Sequence, residues 1–132
     1  MLSKKTKKMI KHKIIKDPVY GQNLTLIVGC DNVEIVDYLE ECTGIRPKEI
    51  KPSYGCRFTH DNCDIIWMQK FNINNIKHIT TLAHECLHQA LQVLKRTGVH
   101  EVQEGYGIYS EEESLAYYHG FLLTQCLNKL KK

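Results

Sequence analysis

Two histidines and a glutamate lie within five residues of one another, in the run His84-Glu85-Cys86-Leu87-His88. On a helix, residues four apart share a face, so two imidazoles at this spacing can reach one metal ion. Glu85 lies about 100° around the helix from His84, close enough to act on a water at that ion without ligating it. The pattern HExxH therefore predicts a hydrolytic zinc site with Glu85 as its general base.

A catalytic zinc ion normally takes three protein ligands and one water, so the two histidines need a further partner. A third histidine in the continuation HxxGxxH is excluded, because Leu91 and Leu94 occupy its glycine and histidine positions. The acidic run at 111–113 is the better candidate, since it opens a second helical pattern that can face the first if the helices cross. Acidic residues also stabilise a helix start through its dipole, so the run alone does not fix the ligand.

The elements that must position these groups are two long helices. The first pattern covers about 75–96 and ends at Gly98, with the histidines beside its apolar stripe. That stripe consists of Ile76, Ile79, Ala83, Cys86, Leu87, Ala90 and Leu94. The second covers about 110–130, and Ser110 with Glu113 has the spacing of a capping box. Its stripe consists of Leu115, Tyr118, Leu122, Cys126 and Leu130.

The residues before these helices predict short strands around one shorter helix. The β-like runs are 13–19, 23–29, 54–59 and 63–68. Asp31 can cap a helix that continues to about Glu41, before a stop at Gly44. This order predicts an α+β domain over 13–132, in which a small N-terminal sheet packs on the helix of the histidines and on the C-terminal helix.

Size and composition are those of one globular domain. The chain has 132 residues and no apolar run near the length that crosses a membrane, so no membrane partner is expected. No secretory signal is readable, and the cytoplasm is the expected compartment. The six cysteines lack the tight spacing of a disulfide scaffold. Cys86 and Cys126 are expected to be reduced thiols within the helix stripes.

Positive charge is concentrated at the N-terminus. Seven lysines precede Asp17, whereas acidic residues outnumber basic ones in the rest of the chain. Residues 1–12 are therefore predicted to form a flexible basic arm, which could contact nucleic acid or an acidic partner. The arm contains no aromatic residue on which bases could stack, so a solvated terminus is its expected role.

The two helical motifs together resemble those of a known family. HECLH at 84–88 followed by ESLA at 113–116 is similar to the gluzincin pattern, in which HExxH is followed by ExxA on a second helix. The likeness is to small zinc peptidases of bacteria and their phages, including the repressor-cleaving ImmA/IrrE-like metallopeptidases. It covers about residues 63–125 and is specific only in these motifs.

This resemblance implies a zincin-like fold, a Zn²⁺ ion held by His84, His88 and Glu113, and a protein or peptide as substrate. Glu112 is the alternative third ligand. The family often has Asp or Asn after the alanine of ExxA, where it supports a histidine ligand, whereas this chain has Tyr117. The hydroxyl of Tyr117 or another group must then orient the imidazole.

The same resemblance suggests where a substrate binds. In zincin-like folds an edge strand just before the active-site helix binds extended peptide, and the run 63–68 occupies that place here. Trp67 is expected to be a core residue rather than the wall of a pocket. Cys56, His60 and Cys63 could form a second metal site, although their spacing matches no standard zinc knuckle. The candidate donors to a developing oxyanion are Tyr106, Tyr109, Tyr117, Tyr118 and His119.

Two other functions compete with peptide hydrolysis. A binding or assembly protein could keep the zincin fold around a structural metal, but such an ion needs no general base in the place of Glu85. A DNA-associated protease of the SprT type would require His119 as the third ligand. A zinc metallopeptidase that cleaves an intracellular protein is therefore the leading hypothesis.

Overall fold

The structure, a computed structural model, describes residues 12–47, 55–60, 63–98 and 107–131, with the backbone alone at 60 and 107–112. The strands are β1 (His12–Ile15), β2 (Leu24–Val28), β3 (Gly55–His60) and β4 (Cys63–Met68), and the helices are α1 (Asn32–Thr43), α2 (Ile76–Arg96) and α3 (Gly107–Leu130). No helix within the described ranges is long and apolar enough to cross a membrane. The predicted basic arm lies outside the described residues, apart from His12, which begins β1.

The four strands form one mixed sheet in the order β1-β2-β4-β3. β2 and β4 are parallel, whereas β1 pairs with β2 and β3 pairs with β4 in antiparallel register. The prediction that 63–68 is an edge strand is therefore wrong, because this segment is β4 and lies inside the sheet. Its run of five consecutive buried residues suits a central strand that is covered on both faces. The edge next to β4 is formed by β3.

Helices cover both faces of the sheet. Ile66 and Met68 pack with α2 and α3, whereas Ile65 and Trp67 pack with α1 on the opposite face. Trp67 is a core residue as expected, and its Nε1–H donates to the carbonyl oxygen of Cys30 at 3.0 Å. The mixed α+β class is thus confirmed, and α1 adds a layer on the face away from the two long helices.

The apolar stripe predicted for α2 is only partly correct. Cys86, Ala90 and Leu94 are buried, but Ile76 is 78% exposed and Leu87 also reaches solvent. The buried face consists of His78, Leu82, Glu85, Cys86, Gln89, Ala90, Val93 and Leu94. Because three polar residues belong to this face, a pattern based on hydrophobicity alone could not locate it.

The predicted start and end of α1 are confirmed, whereas the predicted start of α3 is wrong. Asp31 caps α1 in a reciprocal capping box with Glu34, and Gly44 ends the helix with a φ of 75°, as expected. α3 begins at Gly107, so the predicted capping role of Ser110 is wrong, because this residue lies inside the helix. The short S-x-x-E pattern also occurs within helices and does not by itself define a boundary.

A buried carboxylate joins the sheet to α2. Asp64 of β4 is 2% exposed and accepts hydrogen bonds from both terminal nitrogens of Arg96, at 2.8 and 3.1 Å. It also accepts from Gln89 Nε2 at 3.0 Å and from Thr59 Oγ1 at 2.9 Å. Burial alone would raise the pKa of Asp64, but the hydrogen bonds from Arg96, Gln89 and Thr59 outweigh it and hold the pKa below its ordinary value.

We expect Asp64→Asn to lower the free energy of unfolding by about 2–4 kcal/mol at neutral pH, because Arg96 would lose its carboxylate partner. The pKa of Asp64 is lower in the folded state, so this contribution is complete at neutral pH and is lost as the pH falls below about 4. Urea denaturation across that range should show the wild type and the variant converging in acid.

The matched control is Asp37→Asn, which removes an exposed salt bridge to Arg46 and should leave the free energy of unfolding nearly unchanged. Equal stability losses in the two variants would contradict the structural role of Asp64.

Candidate metal centre

The two histidine side chains of the HExxH motif lie side by side on the exposed face of α2. Their Nε2 atoms are 3.1 Å apart, and the ring centroids are 4.6 Å apart with the rings nearly perpendicular. At this distance the Nε2–H of one imidazole donates to the ring nitrogen of the other. The spacing of one helical turn therefore brings His84 and His88 together as predicted.

The geometry of this pair fits zinc. Two imidazoles bound to a tetrahedral zinc ion, each at about 2.0–2.1 Å, have their ligating nitrogens roughly 3.3 Å apart. The observed Nε2–Nε2 distance of 3.1 Å is close to this value, and both residues are exposed. His84 and His88 can therefore supply two ligands with little rearrangement, once the proton shared by their rings is displaced.

Glu85 lies at the boundary between the buried and exposed faces of α2. It is 8% exposed, and it lines a cleft of about 390 Å³ between α2 and β3. The residues around the cleft are Cys56, Arg57, Glu85, His88, Leu91, Gln92 and Lys95. Burial raises the pKa of Glu85 above its ordinary value, although His84, His88 and Arg57 act in the opposite direction. A partly desolvated carboxylate beside the histidines is suited to accept and return a proton.

The structure does not bring Glu113 to the histidine pair. Glu113 is exposed near the start of α3 and lines a separate pocket with Val19 and Tyr20. Across the described ranges, no group of three or more His, Cys, Asp or Glu side chains is arranged to hold a metal ion. The side chains of Glu111 and Glu112 lie outside the described residues. The assignment of Glu113 as third ligand, with Glu112 as its alternative, stays a prediction.

His119 contacts α2 immediately beside the site. Its Nε2–H donates to the carbonyl oxygen of Ala83 at 3.0 Å, and Ala83 precedes His84. This hydrogen bond fixes α3 against the turn of α2 that carries the first histidine, and it occupies one of the two ring nitrogens through which a histidine can bind a metal.

The tyrosines expected near the site differ in their surroundings. Tyr117 is 76% exposed, and no described residue forms a hydrogen bond with its hydroxyl, so it does not orient either histidine here. Tyr118 is buried, and its hydroxyl donates to Asp17 Oδ2 at 2.6 Å, which anchors α3 to the turn after β1. Tyr106 and the side chain of Tyr109 lie outside the described residues.

The cysteines do not form a second metal site among the described residues. Cys56 is opposite Trp67 in the β3–β4 register, whereas Cys63 is opposite His60 at the other end of the hairpin. All six cysteines are free, and the buried Sγ atoms of Cys86 and Cys126 lie 3.9 Å apart between α2 and α3. These two thiols pack as small apolar groups, as expected.

Two cations of the cleft, Arg57 and Lys95, were not predicted from the sequence. Arg57 lies on the side of β3 that faces α2, and Lys95 follows His88 by seven residues on the same side of α2. The alternation of side chains along a strand predicts which face of β3 bears Arg57, and helical spacing predicts which side of α2 bears Lys95. These local patterns do not predict that β3 lies beside α2, and without this long-range contact the two cations could not be assigned to one cleft.

Comparisons with protein-family models, with curated proteins and with solved structures find no match to this chain. The gluzincin resemblance therefore stays a prediction, and the functional interpretation depends on the geometry of the site.

We expect the metal-free protein to bind one Zn²⁺ or Co²⁺ ion per chain through His84 and His88. Replacing either histidine with Asn should weaken binding by about 100-fold or more, whereas Glu85→Gln should leave the affinity unchanged. Calorimetric titration gives the affinity, and the absorption spectrum of bound Co²⁺ reports the coordination.

His12→Asn, which changes an exposed histidine of β1, is the control and should bind as the wild type does. Undiminished metal affinity in both His84→Asn and His88→Asn would show that the pair does not form a metal centre.

Proposed function

We propose that this protein is a zinc-dependent metallopeptidase with a zincin-like fold. The observation that carries the proposal is the exposed pair of Nε2 atoms, 3.1 Å apart, beside the largely buried Glu85. A structural metal site needs no carboxylate in this place, whereas hydrolysis needs a general base. The arrangement therefore favours catalysis over a purely structural ion.

The positions of the three side chains indicate a role for each of them in the proposed reaction. His84 and His88 would hold the ion, which would lower the pKa of a bound water molecule and polarise the scissile carbonyl. Glu85 accepts the proton of the attacking water and delivers it to the leaving amine. Because Glu85 is one residue from a ligand and faces the cleft, it can reach both the water and a peptide bound there.

The edge strand supports a protein or peptide as substrate. Within the described part of the chain, no strand pairs with the outer side of β3. An extended peptide can add to such an edge through backbone hydrogen bonds. Because β3 also contributes Cys56 and Arg57 to the cleft of Glu85, the docking role expected for 63–68 is assigned to β3.

The proposed third ligand is a carboxylate from the start of α3. Glu113 is the residue that the ExxA resemblance implies, but it lies in a pocket with Val19 and Tyr20. Glu112, whose side chain lies outside the described residues, is therefore tested beside it as the alternative ligand.

We expect the zinc-loaded wild type to cleave peptides in a proteome-derived mixture, with the new termini identified by mass spectrometry. Glu85→Gln should reduce the cleavage rate by about 100- to 10,000-fold, because it removes the general base. Its zinc content should not change. Equal rates for the two proteins would contradict the mechanism, and absence of cleavage by the zinc-loaded wild type would favour the binding or assembly role.

The third ligand can be assigned from the zinc affinity of Glu113→Gln, Glu112→Gln and His119→Gln. The ligand variant should lose about 100-fold or more in affinity. Unchanged affinity in Glu113→Gln together with a loss in Glu112→Gln would move the assignment by one residue. A loss confined to His119→Gln would instead support the SprT-type alternative.

A further inference from the structure

The cleft beside Glu85 contains two cationic side chains that the proposed hydrolysis does not use. Arg57 enters it from β3 and Lys95 from the last turn of α2. Lys95 is exposed and lies about two helical turns beyond His88, on the same side of the helix. Both cations are therefore on one side of the proposed metal centre, toward the C-terminal end of α2.

Arg57 is held in a fixed orientation before any ligand binds. Its Nε–H donates to Gln89 Oε1 at 2.6 Å, and its Nη2 donates to Thr59 Oγ1, also at 2.6 Å. Gln89 is in turn fixed by Asp64. Among the described residues, none accepts a hydrogen bond from Arg57 Nη1. One edge of a pre-organised guanidinium is thus available to a ligand in the cleft.

The carboxylate nearest to this guanidinium is shared with a second arginine. Asp64 is bound by Arg96 at 2.8 Å, whereas its ion pair with Arg57 is longer, at 3.8 Å. One buried carboxylate therefore serves two guanidiniums. Burial lowers the pKa of Arg57, and the attraction of Asp64 and Glu85 does not fully offset this effect. Glu85 is the only carboxylate among the described residues that line the cleft.

We propose that Arg57 and Lys95 bind a carboxylate of the substrate and so make the cleft selective for peptides with an acidic group on one side of the cleaved bond. This inference rests on the proposed peptidase function and names the substrate class of the same site. Arg57 Nη1 and Lys95 Nζ donate to the carboxylate, which adds a closer counter-ion for Arg57 than the Asp64 that it shares with Arg96.

Two sources can supply this carboxylate. It is either the side chain of Asp or Glu within the substrate or the free C-terminus of a peptide that ends in the cleft. Three capped tripeptides distinguish them: acetyl-Ala-Glu-Ala-amide, acetyl-Ala-Gln-Ala with a free carboxylate, and the neutral acetyl-Ala-Gln-Ala-amide.

Binding is measured first, because it does not depend on turnover. Zinc-loaded Glu85→Gln protein labelled with ¹⁵N is titrated with each peptide, and the Nε–H signal of Arg57 and the backbone amides around Lys95 are followed by NMR. We expect at least one carboxylate peptide to bind about 10-fold or more tightly than the neutral peptide. Equal affinity of all three peptides overturns the proposal.

Variants of the two cations test which side chains bind the carboxylate. Added to the same background, Lys95→Met should reduce the preference for the carboxylate peptide several-fold, and Arg57→Met should abolish it. Lys77→Met changes an exposed lysine near the start of the same helix, away from the cleft, and is the matched control. If Arg57→Met does not fold, Lys95→Met still tests the proposal, because Lys95 lies on the surface and its replacement should not affect folding. A preference that Lys95→Met leaves unchanged contradicts the proposed two-cation site.

Cleavage then separates the two proposals. Both proposals are supported if the wild type cleaves the peptide mixture and acidic residues are enriched near the new termini. This enrichment should be lost in Lys95→Met and kept in Lys77→Met. Cleavage with no acidic preference overturns only the selectivity. Carboxylate binding by Glu85→Gln without cleavage by the wild type overturns only the peptidase function.

Discussion

The ionised carboxylate of Asp64 is the constraint on which the arrangement of this protein depends. It sits on the central strand β4 and accepts hydrogen bonds from Arg96 and Gln89 of α2 and from Thr59 of β3. A buried charge is tolerated only when such partners surround it. A single buried anion therefore fixes the relative positions of the sheet, its edge strand β3 and the helix that carries both histidines. Gln89 extends this network to Arg57 and hence to the wall of the cleft.

This anchoring gives α2 two functional faces. The inner face combines apolar side chains with hydrogen-bonded polar ones such as Gln89, and it is fixed against the sheet. The outer face presents His84 and His88, which are free to share a proton or a metal. Glu85 lies between the two faces at the wall of the cleft, where burial raises its pKa above the ordinary value and outweighs the opposite effect of its neighbours. The position of the proposed general base thus follows from where the buried face ends.

Local signals predicted the local features of the structure. The pairing of His84 with His88 requires only one helical turn, and the bounds of α1 follow from a cap and a terminal glycine. The strand order could not be predicted, because pairing of β4 with β2 rather than at an edge is a long-range event. The buried face of α2 could not be predicted correctly, because polar residues such as Gln89 belong to the core. The assignment of a third ligand depends on how α3 approaches α2 and therefore stays a prediction, because no local pattern determines this contact.

The cleft itself is set by two contacts between β3 and α2. At Gly55, a Cβ atom would come within 2.8 Å of the Trp67 carbonyl oxygen of β4 and 3.1 Å of Thr81 Cγ2 of α2, so the absence of a side chain leaves room for both neighbours. At Arg57 the contact is made by a long side chain that reaches Gln89. Glu85 and His88 lie beside this second contact. The hydrogen bond from Arg57 to Gln89 therefore ties the strand to the turn of α2 that follows His88, and this contact fixes the wall of the cleft against the helix that carries Glu85 and both histidines.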